Sequence, residues 1–74
     1  MKRLIRLPNG DAMRPDFINA VIVAEREESI LNEGHFYPDR VIVRTADNNS
    51  IVIDCESLEG ACEMRDSIFE AVNA

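Results

Sequence analysis

The chain has 74 residues and a mass of 8.4 kDa, with 46% apolar and 30% charged residues. This length allows one small domain whose stability margin we expect to be narrow. Eight basic against fourteen acidic residues give a net charge of −6, which argues against direct binding of nucleic acids or anionic membranes, because both need cationic surfaces. No stretch approaches the roughly 20 apolar residues of a spanning helix, and no secretory signal is visible.

The chain contains two cysteines, Cys55 and Cys62, and one histidine, His35. These three residues cannot alone close a four-ligand zinc site, and no catalytic or phosphate-binding motif accompanies the histidine. We therefore expect a cytoplasmic protein with two free, buried thiols and a histidine that packs in a loop or lies at the surface. We expect no metal, no cofactor and no enzymatic activity.

The first predicted element is a strand over about residues 3–7, which leads into Asn9-Gly10. Asn-Gly is the strongest two-residue hairpin signal because both residues tolerate positive φ. A tight turn at this point predicts that Leu7 lies opposite Ala12.

A second strand is predicted over about residues 17–25, which are rich in β-branched side chains. Successive side chains alternate between the two faces of a strand. We expect the wholly apolar face to cover the core, and it consists of Ile18, Ala20, Ile22 and Ala24. The mixed face consists of Asn19, Val21, Val23 and Glu25.

The clearest hairpin joins strands predicted over about residues 40–46 and 50–55. A three-residue loop over residues 47–49 keeps the apolar side chains of both strands on one face. In this register the facing pairs are Val43 with Ile53 and Val41 with Cys55. The loop needs a left-handed residue at its end, which Asn49 can supply.

A helix is predicted over about residues 58–72, with Ser57 as its N-cap. At 100° per residue its apolar stripe consists of Leu58, Ala61, Cys62, Ile68, Phe69 and Val72. Arg65 falls near the middle of this stripe, where a charge needs a partner or must extend toward water. The elements together predict an α+β fold, with an antiparallel sheet of about four strands and one C-terminal helix packed on one face.

A resemblance supports this fold. The run Ile5-Arg6-Leu7-Pro8-Asn9-Gly10, followed by Phe17-Ile18-Asn19 and Val21-Ile22-Val23, resembles a group of small bacterial and phage proteins that includes the FlbD-type flagellar proteins. The shared pattern is a strand, an Asn-Gly turn, a second strand, a hairpin and a helix. The resemblance implies action by protein contact and assigns no functional residue to this chain.

Residues 26–39 form a connection far longer than the about two to five residues of most hairpin loops. Their apolar and aromatic residues, with the histidine, are Ile30, Leu31, His35, Phe36 and Tyr37. Two arrangements remain open at this point. The apolar side chains cover an open end of the core as a lid, or they are exposed and recognise a partner.

Two further surfaces could bind a partner. The helix carries carboxylates spaced four, three and four residues apart, which form one acidic ridge consisting of Glu59, Glu63, Asp66 and Glu70. This ridge is either a solvated face or a docking surface for a basic protein. The second face of the sheet is expected to carry an uncovered apolar strip that supports a homodimer, consisting of Val21, Val23, Ile42 and Val52.

We therefore expect a small acidic, non-enzymatic protein-interaction module, an adaptor or an inhibitor, that binds through residues 26–39 or the outer sheet face. The alternative is an acidic mimic that occludes a nucleic-acid-binding protein with the outer face of the helix, and a phage-encoded inhibitor is one form of it. Neither hypothesis involves direct contact with nucleic acid or with a membrane.

Overall fold

The computed structural model describes residues 4–31 and 33–73. Within them the chain forms, in order, β1 (Ile5–Arg6), β2 (Ala12–Met13), a 3₁₀ turn (Pro15–Phe17), β3 (Ile18–Ala24), β4 (Glu27–Glu28), β5 (Phe36–Tyr37), β6 (Arg40–Thr45), β7 (Ser50–Asp54) and the helix α1 (Leu58–Asn73). Arg3, predicted to begin the first strand, lies outside the described residues.

The described strands pair antiparallel in four ladders, which form three sheets. The central sheet has the order β3-β6-β7, and β1–β2 and β4–β5 are two-stranded. Helix α1 packs against the central sheet and also contacts β1. The predicted α+β class, with a C-terminal helix on an antiparallel sheet, is confirmed. The first strand pairs with β2 and does not join the central sheet.

The first hairpin has a longer turn than the two-residue turn predicted from Asn9-Gly10. The Leu7 amide donates to the Asp11 carbonyl at 2.7 Å, and Gly10 adopts a φ of 97°. The turn therefore spans three residues, and the prediction that Leu7 lies opposite Ala12 is wrong by one residue. The Asn9 side chain explains the extra residue, because its Oδ1 accepts a hydrogen bond from the Asp11 amide at 3.1 Å.

The prediction of which β3 side chains face the core is wrong, because the strand contains a bulge. Ile18 pairs with Thr45 whereas Ala20 pairs with Arg44, so the register shifts by one residue between them. From Ala20 onward the faces are exchanged, and the side chains that pack against the core are Ile18, Val21 and Val23. Ile22, predicted to be in the core, is 39% exposed on the opposite face.

The β6–β7 hairpin has the predicted three-residue loop, but one residue earlier in the chain. The Thr45 amide donates to the Asn49 carbonyl at 3.0 Å, and Asn48 is the left-handed residue, with a φ of 66°. The facing pairs are therefore Val43 with Ile51 and Val41 with Ile53, and the predicted pairs are wrong by two residues. A two-residue shift keeps every side chain on its predicted face.

The core lies between α1, the central sheet and the first hairpin. Its buried apolar residues are Ile5, Leu7, Val41, Val43, Ala61 and Ile68. Helix α1 begins as predicted, because the Gly60 amide donates to the Ser57 Oγ at 3.0 Å. Within the described chain no helix has the length and apolar character needed to cross a membrane.

The buried stripe of α1 differs from the predicted one. Met64 and Ala71 join Ala61, Ile68 and Val72 against the core, which rotates the centre of the stripe by roughly 70° on a wheel of 100° per residue. Two residues of the predicted stripe are consequently exposed, Phe69 to 62% and Leu58 to 40%. The same rotation leaves Arg65 half-buried at the edge of the stripe, where its guanidinium pairs with Asp66 at 2.9 Å.

Candidate protein-binding arm

Residues 25–39, named the arm from here on, continue the hairpin that β3 and β6 begin. Ala24 pairs with Arg40, and beyond the break at residues 25–26 and 38–39 Glu27 pairs with Tyr37 in the same register. The ladder breaks at Pro38, which has no amide hydrogen to donate. The predicted long loop is therefore a second, short β-ladder that extends the central hairpin.

Polar contacts fix the base of the arm to the sheet. The Arg26 amide donates to Asp39 Oδ1 at 2.7 Å across the break in the ladder. The Arg40 guanidinium donates to the Pro38 carbonyl at 3.1 Å and pairs with Glu27 Oε1 at 2.8 Å. The Arg40 side chain is 15% exposed and that of Glu27 is 61% exposed, so only the arginine side of this ion pair is shielded from water.

The two aromatic residues of the arm each lie beside an arginine. The Arg26 guanidinium lies 4.8 Å from the centre of the Phe36 ring, and that of Arg40 lies 5.4 Å from the centre of the Tyr37 ring. His35 packs edge-on against Tyr37 with ring centres 6.1 Å apart. Phe36 and Tyr37 are still 47% and 45% exposed. The arm therefore presents ordered aromatic surface to solvent.

The tip of the arm exposes two large aliphatic side chains. The Ser29 amide donates to the His35 carbonyl at 2.8 Å, which closes the ladder at the tip. Beyond this bond Ile30 is 100% exposed and Leu31 is 90% exposed. Gly34 completes the turn with a φ of 79°, and its amide donates to Glu28 Oε1 at 3.3 Å. The lid hypothesis is wrong, because these side chains do not cover the core.

The molecule is elongated. Its principal extents are 49 × 25 × 18 Å and its radius of gyration is 13.4 Å, whereas a compact chain of this length has a radius of gyration of about 11 Å. The arm, as an extended hairpin, is the expected cause of this larger radius of gyration. Its tip is then accessible to a partner without rearrangement of the core.

The acidic ridge lies on the exposed side of α1, as predicted. Glu59, Glu63, Asp66 and Glu70 are all exposed and lie opposite the buried stripe. Among the described residues only Asp66 of these four forms an ion pair, with Arg65. The ridge and the arm belong to different elements, and the structure does not combine the predicted site residues into one site.

The outer face of the central sheet carries a different apolar row from the one predicted. Val21 and Val23 pack against the core, so their predicted place on the outer face is wrong. The row instead consists of Ile22, Ile42 and Val52, which pair with one another across the three strands. The sequence offered no signal for Ile22, because the bulge in β3 decides which face it occupies.

Neither cysteine takes part in a disulfide. Cys55 and Cys62 are free, as predicted, and both are half-buried where the sequence predicted burial. In the part of the chain that the structure describes, no cluster of three or more His, Cys, Asp or Glu side chains is arranged to hold a metal ion. His35 lies exposed on the arm.

Comparisons with known proteins add no family to this description: no family model, curated protein or solved structure matches the chain. The arginines that lie over the aromatic rings are the site residues that sequence reasoning missed. Their only signal was position, since Arg26 and Arg40 flank the aromatic segment on both sides.

Proposed function

We propose that this protein is a non-enzymatic protein-interaction module, an adaptor or an inhibitor, that docks on its partner with the tip of the arm. The observation that carries the proposal is the complete exposure of Ile30 beside a 90% exposed Leu31. Adjacent exposed aliphatic side chains of this size favour association, since their burial would be worth about 1.5–3 kcal/mol each.

The rest of the arm supports this role. Aromatic and arginine side chains are the types most enriched at the energetic centres of protein interfaces. Here Phe36 and Tyr37 are held by Arg26 and Arg40, so little conformational entropy remains to be lost when a partner binds. The tip therefore provides the anchor of the interface, and the aromatic surface provides ordered contacts around it.

A capture experiment tests the proposal. The wild-type chain and an Ile30→Ser/Leu31→Ser variant are immobilised and exposed to a lysate of the cells that encode the protein, and bound proteins are quantified by mass spectrometry. We expect the variant to recover its partner about 100-fold less well, because loss of about 3 kcal/mol of burial corresponds to two factors of ten. A Phe36→Ala/Tyr37→Ala variant tests the aromatic surface in the same way.

Leu4→Ser is the matched control, since Leu4 is also an exposed aliphatic residue, at 63%, but lies outside the arm. It should recover the partner as well as the wild type does. Circular dichroism establishes that all variants are folded. Equal recovery by the wild type and the folded tip variant would exclude the arm tip as the binding site.

A second candidate function is occlusion of a nucleic-acid-binding protein by the acidic ridge. The observation that favours it is the alignment of four exposed carboxylates on one side of α1. Such a complex should weaken steeply between low and high salt, and a Glu63→Lys/Asp66→Lys variant should lose it, because the attraction is between exposed charges. A complex that tolerates high salt and this charge reversal excludes the ridge.

A further inference from the structure

The two edges of the central sheet differ in how they are protected. The β3 edge is distorted by the bulge at its start, and a groove of about 320 Å³ between this strand and the end of α1 is lined by Val21, Phe69 and Val72. The β7 edge is a regular five-residue strand without proline, lysine or arginine. Natural sheets use bulges, charged residues and proline to prevent strand addition at an edge. The β7 edge has no bulge and no proline, and Asp54 is its only charged residue.

The hydrogen bonds of β7 show which of its backbone groups face away from the sheet. The Thr45 amide donates to the Asn49 carbonyl, and the Cys55 amide donates to the Asp39 carbonyl. Odd-numbered residues in and beside β7 therefore bond to β6, and even-numbered residues direct their amides and carbonyls outward, because the two directions alternate along a strand. The outward residues are Ser50, Val52 and Asp54, and all three are exposed.

We propose that β7 pairs antiparallel with β7 of a second copy of this chain, with the two-fold axis at Val52. The central sheets then join into one sheet of six strands. Val52 is the middle residue of the strand, and its outward amide and carbonyl meet those of Val52 in the second copy. Ser50 meets Asp54 of the second copy on either side. The three outward residues of each copy thus exchange six backbone hydrogen bonds.

Side chains in this register complement one another. On the outer face, the row Ile22, Ile42 and Val52 of one copy continues directly into the same row of the second copy. Asp54 lies opposite the small, neutral Ser50 of the second copy and not opposite another carboxylate, which would be destabilising. The strand is therefore complementary to itself: Val52 forms an apolar centre, and each Asp54 lies opposite an uncharged serine.

A charge pair crosses the proposed junction. Arg44 is the β6 neighbour of Ser50 and is exposed, with no ion pair among the described residues. In the joined sheet Ser50 is the only residue between Arg44 and Asp54 of the second copy. Two strand spacings are about 10 Å, which a long arginine side chain can bridge over a serine. The second copy therefore supplies an ionic partner for Arg44.

Sedimentation equilibrium of the wild-type chain and two lysine variants tests the pairing. We expect a concentration-dependent rise toward twice the 8.4 kDa monomer mass. Val52→Lys should raise the dissociation constant at least 30-fold, because it places like charges opposite each other at the two-fold axis. Ile22→Lys is the control on the same face of the sheet, and it should leave the dissociation constant within about threefold, since Ile22 lies two strands away from the junction.

Three sedimentation results would overturn the proposal. One is a monomer at about 1 mM protein, which means association weaker than about 4 kcal/mol. Another is equal loss of association in both lysine variants, which indicates that the outer faces pack against each other. The last is loss of association in the Ile30→Ser/Leu31→Ser variant, which indicates docking through the arm. The proposal is independent of the arm, so a monomer with an active arm leaves the proposed function intact.

Hydrogen exchange provides a second measurement that does not depend on variants. The Val52 amide should exchange at least tenfold more slowly in concentrated than in dilute protein, because dimerisation gives it a backbone acceptor. The Val43 amide, bonded within the hairpin, serves as the internal reference. If the mass doubles with concentration but the exchange rate of the Val52 amide does not change, the result would contradict edge pairing.

Discussion

The Cys55 thiol lies beside α1, where it donates to the Ile53 carbonyl at 3.6 Å and contacts Met64 Sδ at 4.0 Å. Burial raises the pKa of the Cys55 thiol above its ordinary value of 9.0, and the negative charges of Asp54 and Asp39 add to the effect. The reactive thiolate is therefore scarcer at neutral pH than in an unstructured cysteine.

We predict that Cys55 reacts with iodoacetamide at least several-fold more slowly at pH 8 than a cysteine in a short peptide. The measurement uses a Cys62→Ser variant so that only one thiol reports, with mass spectrometry of timed samples. In urea the variant should react at the peptide rate. A folded protein that reacts as fast as the peptide would show that Cys55 is neither shielded nor affected by its carboxylate neighbours.

Asp47 stabilises the β6–β7 loop through its ionised form. The Thr45 hydroxyl donates to Asp47 Oδ1, and the Asn49 amide side chain donates to Oδ2 at 2.8 Å. These bonds lower the pKa of Asp47 from its ordinary value of 3.8, with the Thr45 bond as the main cause. A carboxyl group with a lowered pKa in the folded state stabilises that state above its unfolded pKa, and the effect is lost as pH falls through the folded pKa.

Urea unfolding across the acidic range tests this effect with the Asp47→Asn variant. We predict that the wild type is the more stable protein from about pH 5 to pH 7, with a constant difference. Below about pH 4 the difference should shrink as the carboxylate gains a proton. A difference that stays constant down to pH 2 would contradict a role for the ionised carboxylate.

At the scale of elements, helix α1 offers a direct test of its orientation. Ile68 is 4% exposed and Phe69 is 62% exposed, although both belong to the predicted apolar stripe. We predict that Ile68→Ala lowers the free energy of unfolding by about 2–5 kcal/mol, because it removes buried methylene groups and leaves a cavity. Phe69→Ala should cost less than about 1 kcal/mol. Chemical denaturation measures both, and a larger loss for Phe69→Ala would contradict the observed rotation of the helix.

The main strands, the helix and the fold class could be predicted from the sequence, because they follow from local periodicity, whereas the short strands β4 and β5 could not. The β6–β7 pattern alternates with a period of two, and α1 has a stripe with a helical period and Ser57 at its start. The rotation of α1 could not be predicted, since Met64 and Phe69 are both apolar. The first hairpin, including Ile5 and Leu7, packs against one side of the helix, and this packing determines that Met64 and not Phe69 faces the core.

Registers were predicted less well than elements, because they depend on single bulges and turn residues. The bulge between Ile18 and Ala20 exchanges the faces of β3, and no residue in its sequence signals it. The apolar and aromatic content of the arm could be predicted from composition. Its form as a protruding ladder could not, since this form depends on the β3–β6 register continuing past the break at Pro38.

At the scale of the whole molecule, the core and the arm have different roles: the core stabilises the fold, and the arm is the proposed binding element. The buried apolar residues lie in α1, the central sheet and the first hairpin, whereas every apolar or aromatic residue predicted on the arm is exposed. The arm therefore contributes little apolar burial to the stability of the fold. We expect binding and stability to respond to different substitutions.

The most direct test of the arm as the docking element is its replacement. Residues 25–39 are exchanged for Asn-Gly, which joins Ala24 to Arg40, a facing pair that a two-residue turn can close. We predict a folded chain whose melting temperature lies within about 5 °C of the wild type and which captures no partner from the lysate that supplies one to the wild type. Undiminished capture by the folded, armless chain would contradict the proposed function.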